Sequence, residues 1–148
     1  MDDKYIISIF SALVGAFVAI FTNFWRTRYT IRAQDFSKRI EEIAQSISKL
    51  ETYACEYWVC TDREKTNVNY YVIGMQTKIE LMVQYLNEQY KEFDKPMILG
   101  SLNEFTTACT GGTFGSKSGS PEPNRVQIIL VRGETVKIEL MKIRNQQY

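Results

Sequence analysis

From Tyr5 to Trp25 the chain carries no charged residue, and this run of 21 mostly apolar positions constrains it more than any other feature. As a helix rising 1.5 Å per residue it measures about 31 Å, the thickness of the hydrocarbon core of a bilayer. A cleaved leader would want a basic start and a shorter apolar core, whereas this chain opens Met-Asp-Asp-Lys. A buried core helix would show a polar face, and the run has none. It is therefore read as a membrane span. Arg26, Arg28, Arg32, Lys38 and Arg39 follow it against a single Asp35, while Asp2 and Asp3 precede it with only Lys4. That asymmetry predicts an N-terminus outside the inner membrane and a cytoplasmic remainder. Phe24, Trp25 and Tyr29 suit the headgroup level.

Small residues recur along the span. Ser8, Ala12, Gly15, Ala19, Thr22 and Arg26 step by 4, 3, 4, 3, 4, and Ser11, Gly15, Ala19 and Asn23 step by four. In lipid, helices associate through close backbone approach and polar contacts, both of which small residues permit. The plainer reading is that Gly and Ala are common in spans. One shared face favours self-association.

The 4–3 spacing continues through Tyr29, Ala33, Phe36, Ile40, Ile43, Ile47, Leu50, Ala54 and Tyr57. Charged and polar residues fill the positions between, as in a helix burying one stripe against a partner. One helix from about residue 5 to about 60, near 80 Å long, is predicted. Thr61-Asp-Arg-Glu64 reads as a capping box, placing a turn between Cys60 and Asn67. A second helix then buries Val68, Val72, Met75, Ile79, Met82, Leu86 and Phe93, folds back antiparallel and stops at Pro96. Ile98, Leu102, Phe105 and Cys109 mark a short third helix ended by Gly111-Gly112. In the tail, Val136, Ile138 and Leu140 alternate with Lys137, Glu139 and Met141 around Arg132-Gly133-Glu134, a β-hairpin signal with a terminal helix as the alternative. The expectation is a mainly α chain with a small C-terminal β-hairpin. Its parts are a transmembrane helix (residues 1–27), a cytoplasmic coiled-coil extension of that helix (28–62) and a ligand-binding and oligomerisation domain (63–148).

Composition narrows the chemistry. A net charge of +1 argues against a duplex nucleic-acid binder, and the absence of histidine removes His-based catalysis and His-ligated metals. Cys55, Cys60 and Cys109 fit no zinc spacing and read as free thiols. No nucleophile–base pair or carboxylate dyad stands out, so a non-enzyme without a metal or cofactor is expected. The one cradle-like stretch is the mobile loop Gly111–Asn124. Its "GGTFGSKS" nearly imitates a phosphate loop, but Ser116 stands where that motif needs Gly before Lys117, and Pro121 and Pro123 follow. An ATPase is rejected. The loop still offers Ser116, Lys117 and Ser118 to an anion, with Arg125 and Arg132 nearby and Phe114 to stack on a base. A solvated linker is the competing reading.

The span, the small cytoplasmic domain and the Gly/Ser/Lys loop resemble, as an architecture, the membrane effectors of type III CRISPR defence gated by cyclic tetra-adenylate. The pore-forming membrane accessory proteins of type VI CRISPR systems are a second likeness, although their Arg-x4-His element is missing here. The resemblance implies a tetrameric assembly that binds the cyclic oligoadenylate and opens or disrupts the bilayer. The alternative is a non-enzymatic coiled-coil scaffold or superinfection-exclusion protein that binds a protein partner.

Overall fold

The computed structural model describes residues 3–60, 62–91, 93, 95–116 and 121–146. Four helices account for the order of elements: α1 (Asp3–Val59), α2 (Asp62–Gln89), α3 (Lys95–Thr110) and α4 (Pro123–Asn145). The chain divides into two units, Met1–Asp35 and Phe36–Tyr148, with the boundary inside α1.

The first unit is the apolar part of α1. By length and composition this helix can cross a membrane, and its most apolar stretch has no residue buried by the rest of the chain. Ser8, Ala12, Gly15, Ala19 and Thr22 are all exposed. The hydroxyl of Thr22 donates to the Val18 carbonyl at 2.8 Å, so its polarity is met within its own helix. What the seam offers a neighbour at Thr22 is therefore small size rather than a free donor.

The second unit is a four-helix bundle in which successive helices reverse direction. Phe36 near the start meets Tyr90 and Phe93 after the end of α2, at centroid distances of 4.9 and 6.5 Å. At the other end, Trp58 of α1 bonds the carbonyl of Cys109 in the last turn of α3, and accepts from the Glu122 N–H just before α4. α3 lies against both α2 and α4. Short connections between antiparallel neighbours are the usual way to build such a bundle.

The apolar register of α1 is consumed inside this bundle. Phe36, Ile40, Ile43, Ile47, Leu50, Ala54 and Tyr57 are each at most 2 % exposed. The stripe predicted to form a coiled coil between copies thus finds its partners in α2, α3 and α4 of the same chain. The faces predicted for α2 and α3 also point inward: Val72, Ile79, Leu86, Phe93, Ile98, Leu102, Phe105 and Cys109 are buried, while Val68, Met75 and Met82 pack at the margin.

Three local expectations are corrected. α2 ends at Gln89, well before Pro96, and Pro96 sits in the first turn of α3, where its missing N–H costs no helical bond. The turn between α1 and α2 is shorter than the Cys60–Asn67 span expected, because α2 starts at Asp62; Thr61 lies outside the described residues. The C-terminal β-hairpin is replaced by α4, and no strand occurs among the described residues. The reason is a helix apolar on two opposite faces. Ile129, Val136, Leu140 and Ile143 enter the core, while Leu130, Val131, Ile138 and Met141 are 45–57 % exposed on the outside. Two apolar stripes on opposite sides of one helix leave an apolar residue at almost every second position, which imitates strand alternation.

Candidate functional site

Two polar features stand out against the apolar bundle. The first is internal. Glu51 of α1 is buried and accepts a hydrogen bond from Lys137 Nζ of α4 at 3.2 Å, while Lys137 also pairs with Glu134 at 2.8 Å. Gly133 makes this possible, because a Cβ there would overlap the Glu51 carboxylate. Burial pushes the Glu51 carboxyl above its ordinary range, although the bond and charge of Lys137 pull the other way. Burial also opposes the charge on Lys137, but its bonds to Glu134 and Glu51 win and hold its pKa up. Glu51 Oε1 is buried without a hydrogen-bond partner. Glu51 is buried and Lys137 partly so, and the pair sets the fit of α4 on α1. Gly133→Ala should lower the melting temperature of the bundle by the equivalent of about 2 kcal/mol of overpacking, less the helix propensity gained. Thermal unfolding by circular dichroism checks this, and adding Glu51→Ala should recover part of the loss by vacating the space.

The second feature is a surface groove of about 830 Å³ between α3 and α4, walled by Asn103, Glu104, Thr107, Asn124, Arg125 and Arg132 among others. Arg125 and Arg132 are seven positions apart, two helical turns, so α4 places both on this groove. Their roles there differ. The Arg125 guanidinium stacks on the Trp58 ring at 4.2 Å, pairs with Glu122 at 3.1 Å and reaches the Ala108 carbonyl at 3.4 Å. It is a structural strut whose edge faces the groove. Arg132 pairs with Glu104 at 2.6 Å with both side chains about half exposed, and surface pairs of this kind are worth about 1 kcal/mol or less. An incoming anion can therefore compete for Arg132 far more readily than for Arg125.

Of the predicted loop residues, Phe114 and Ser116 do not join these arginines in one cradle. Phe114 turns inward against Tyr57 at a centroid distance of 4.5 Å and against Trp58 at 6.3 Å, which removes it as a stacking platform for a base. Gly115 N–H donates to the Tyr57 hydroxyl at 2.8 Å, and Ser116 N–H closes a turn onto the Thr113 carbonyl. Ser116 is exposed and lies outside the groove wall. Lys117 and Ser118 lie outside the described residues. Gly112 has φ +67, a backbone that favours glycine, and a side chain there would strike the Arg125 guanidinium. The stretch expected to be a mobile loop is thus tied down on both sides of its middle, by Tyr57 and by Trp58.

Sequence reasoning missed the Trp58–Arg125 stack and the groove residues Asn103, Glu104 and Thr107. The only available signal was the outward face of α3, where Asn103, Glu104 and Thr107 interrupt the apolar positions. Cys109 is buried, and desolvation pushes its thiol up to about 12; Cys55, half-buried, is also raised by burial and then by the charge of Glu51. The raised pKa values keep both thiols protonated and so disfavour their use as nucleophiles. No cluster of acidic, Cys or His groups suited to a metal occurs among the described residues.

The fold and its groove define a class: a helical bundle carried on one long apolar helix, with a polar cleft between its last two helices. In comparisons with known proteins, the chain matches no family, no curated protein and no solved structure.

Proposed function

We propose that this chain is a single-pass membrane effector, with the N-terminus outside the inner membrane and the bundle in the cytoplasm. The observation that carries the reading is the pairing of an apolar helix, no described residue of whose most apolar stretch is buried, with a bundle that completes its own core. The bundle needs no lipid, so the exposed helix has the bilayer as its natural solvent. Arg28 over the Phe24 ring at 5.6 Å, with Trp25, Tyr29 and Arg32 beside it, supplies the amphipathic collar expected at the cytoplasmic headgroups.

In this reading the protein is not an enzyme. It assembles as a homo-oligomer, by resemblance a tetramer, and small residues on the Ser8–Thr22 face let the spans approach closely. A cyclic oligoadenylate, the ligand that the family resemblance implies, binds the cytoplasmic part and shifts the assembly toward a pore or a disrupted bilayer. The α3–α4 groove is the place for that anion, with Arg132 as its main phosphate contact, since charge-assisted bonds to phosphate are the strong ones.

Reconstituted vesicles provide the test. Conductance or dye release should rise on adding cyclic tetra-adenylate to the cytoplasmic side, and Arg132→Ala should weaken that response about tenfold or more. A silent membrane at saturating ligand would favour the alternative reading, a membrane scaffold that binds a protein partner. A full response in Arg132→Ala would move the ligand out of the groove.

A further inference from the structure

The bundle leaves two apolar faces uncovered, one on α2 and one on α4. On α2, Tyr70, Tyr71, Ile73, Leu81 and Tyr85 are 45–72 % exposed; on α4, Ile128, Leu130, Val131, Ile138 and Met141 are 45–57 % exposed. With roughly 200 Å² per large side chain, each face carries on the order of 500 Å² of apolar surface. That equals the largest apolar patch of an ordinary monomer, and here there are two.

We infer that the α2 face of one copy packs against the α4 face of the next, in a repeating head-to-tail contact that closes into a ring. This deepens the assembly part of the proposed function and rests on it. Four observations select a second copy as the occupant. Together the two faces remove about 1,000 Å² of apolar surface, which reaches the size of a specific interface once a polar rim is added. α2 and α4 run in the same direction through the bundle, so copies standing the same way up present them parallel, as helices sharing one membrane orientation must. The faces also lie at matching heights: Tyr71 stacks on Tyr53 and Met82 meets Ser46 on one side, while Lys137 reaches Glu51 on the other. Finally, Gly74 stands within the exposed α2 face with nothing within 4 Å of where its Cβ would be, a gap that lets the neighbouring helix approach.

The two faces differ and sit on different helices. A contact between different patches propagates from copy to copy, and closes into a ring when the rotation allows. A two-fold contact would instead pair α2 with α2 or α4 with α4.

Cross-linking in the full-length protein in detergent separates these cases. Leu81→Cys and Ile138→Cys chains, one bearing a size tag, are co-expressed and treated with a short bis-maleimide; the unsubstituted chain gives the background from Cys55 and Cys60. The expected result is a mixed dimer band well above background, with neither variant cross-linking alone. In parallel, Leu81→Glu should reduce assembly at least tenfold in native mass measurement while retaining the helical spectrum. Efficient cross-linking of Leu81→Cys alone would overturn the head-to-tail arrangement. An oligomer with no mixed band and no response to Leu81→Glu would overturn the α2–α4 interface and leave the assembly reading standing. A monomer under all conditions would overturn both.

Discussion

Replacing Lys137 with Met should destabilise the bundle by about 3–5 kcal/mol at neutral pH, the loss expected when one partner of a buried ion pair is removed. Glu51 would remain in place with no cation beside it and with Oε1 already unpartnered. The pH dependence identifies the cause. The Glu51 carboxyl is already raised above its ordinary value of 4.5 by burial, and Lys137 is what holds it down. Without Lys137 it rises further. A carboxyl whose folded pKa lies above its unfolded value costs nothing below the unfolded value, because both states are then protonated. The cost grows as pH rises from there and is complete above the folded pKa. The deficit of the variant should therefore be smallest near pH 4 and largest at pH 8. Melting curves followed by circular dichroism in detergent, at both pH values, check this. A deficit independent of pH would assign the loss to packing of the Lys137 stem. Glu51→Gln, which keeps the shape and leaves Lys137 its bond to Glu134, should cost much less.

Much of this bundle was legible because its helices obey one period. The stripe from Phe36 to Tyr57 has a strict 4–3 spacing, and each of its positions is buried. Its cover was legible only in part: α2 was expected to fold back on it, but α3 and α4 were not expected there. A heptad stripe states only that something covers it, and the order of α2, α3 and α4 within the same chain supplies that cover. The tail misled for a different reason. Val136 and Leu140 face the core while Ile138 between them faces out, so both sides of α4 are apolar and the helical period is masked. The same error hid the geometry of the groove. On a strand, Arg125 and Arg132 would fall on opposite faces, since seven is an odd number of positions. On a helix seven positions bring them together. Phe114 gave no warning of its inward turn, because nothing in "GGTFGSKS" indicates that Tyr57 and Trp58 stand ready to receive it.

Trp58 carries the other large expected effect. It is 1 % exposed at the end of the bundle where the α1–α2 turn and the α3–α4 segment lie. Its indole N–H donates to the Cys109 carbonyl at 2.9 Å, one of the last-turn carbonyls that α3 cannot satisfy itself. Its ring supports Arg125 on one side and packs edge-on against Tyr57 at a centroid distance of 5.1 Å. Trp58→Ala should therefore cost about 3–5 kcal/mol, the range for emptying a buried aromatic site. Trp58→Phe keeps most of the volume and removes only the donor, leaving a buried carbonyl unmet at about 1–3 kcal/mol. The gap between the two variants measures packing against hydrogen bonding at this site. The alanine variant should also loosen the segment around Phe114 and Arg125, since both lose the ring they lean on. Limited proteolysis between residues 111 and 125 should accelerate in Trp58→Ala well before the bundle melts, and much less in Trp58→Phe. Equal cleavage rates in the two variants and in the parent chain would show that Tyr57 and the Glu122 backbone bond suffice to hold the segment. The wall of the α3–α4 groove would then be independent of Trp58, and Arg125 would keep its place by its pair with Glu122 and its bond to the Ala108 carbonyl.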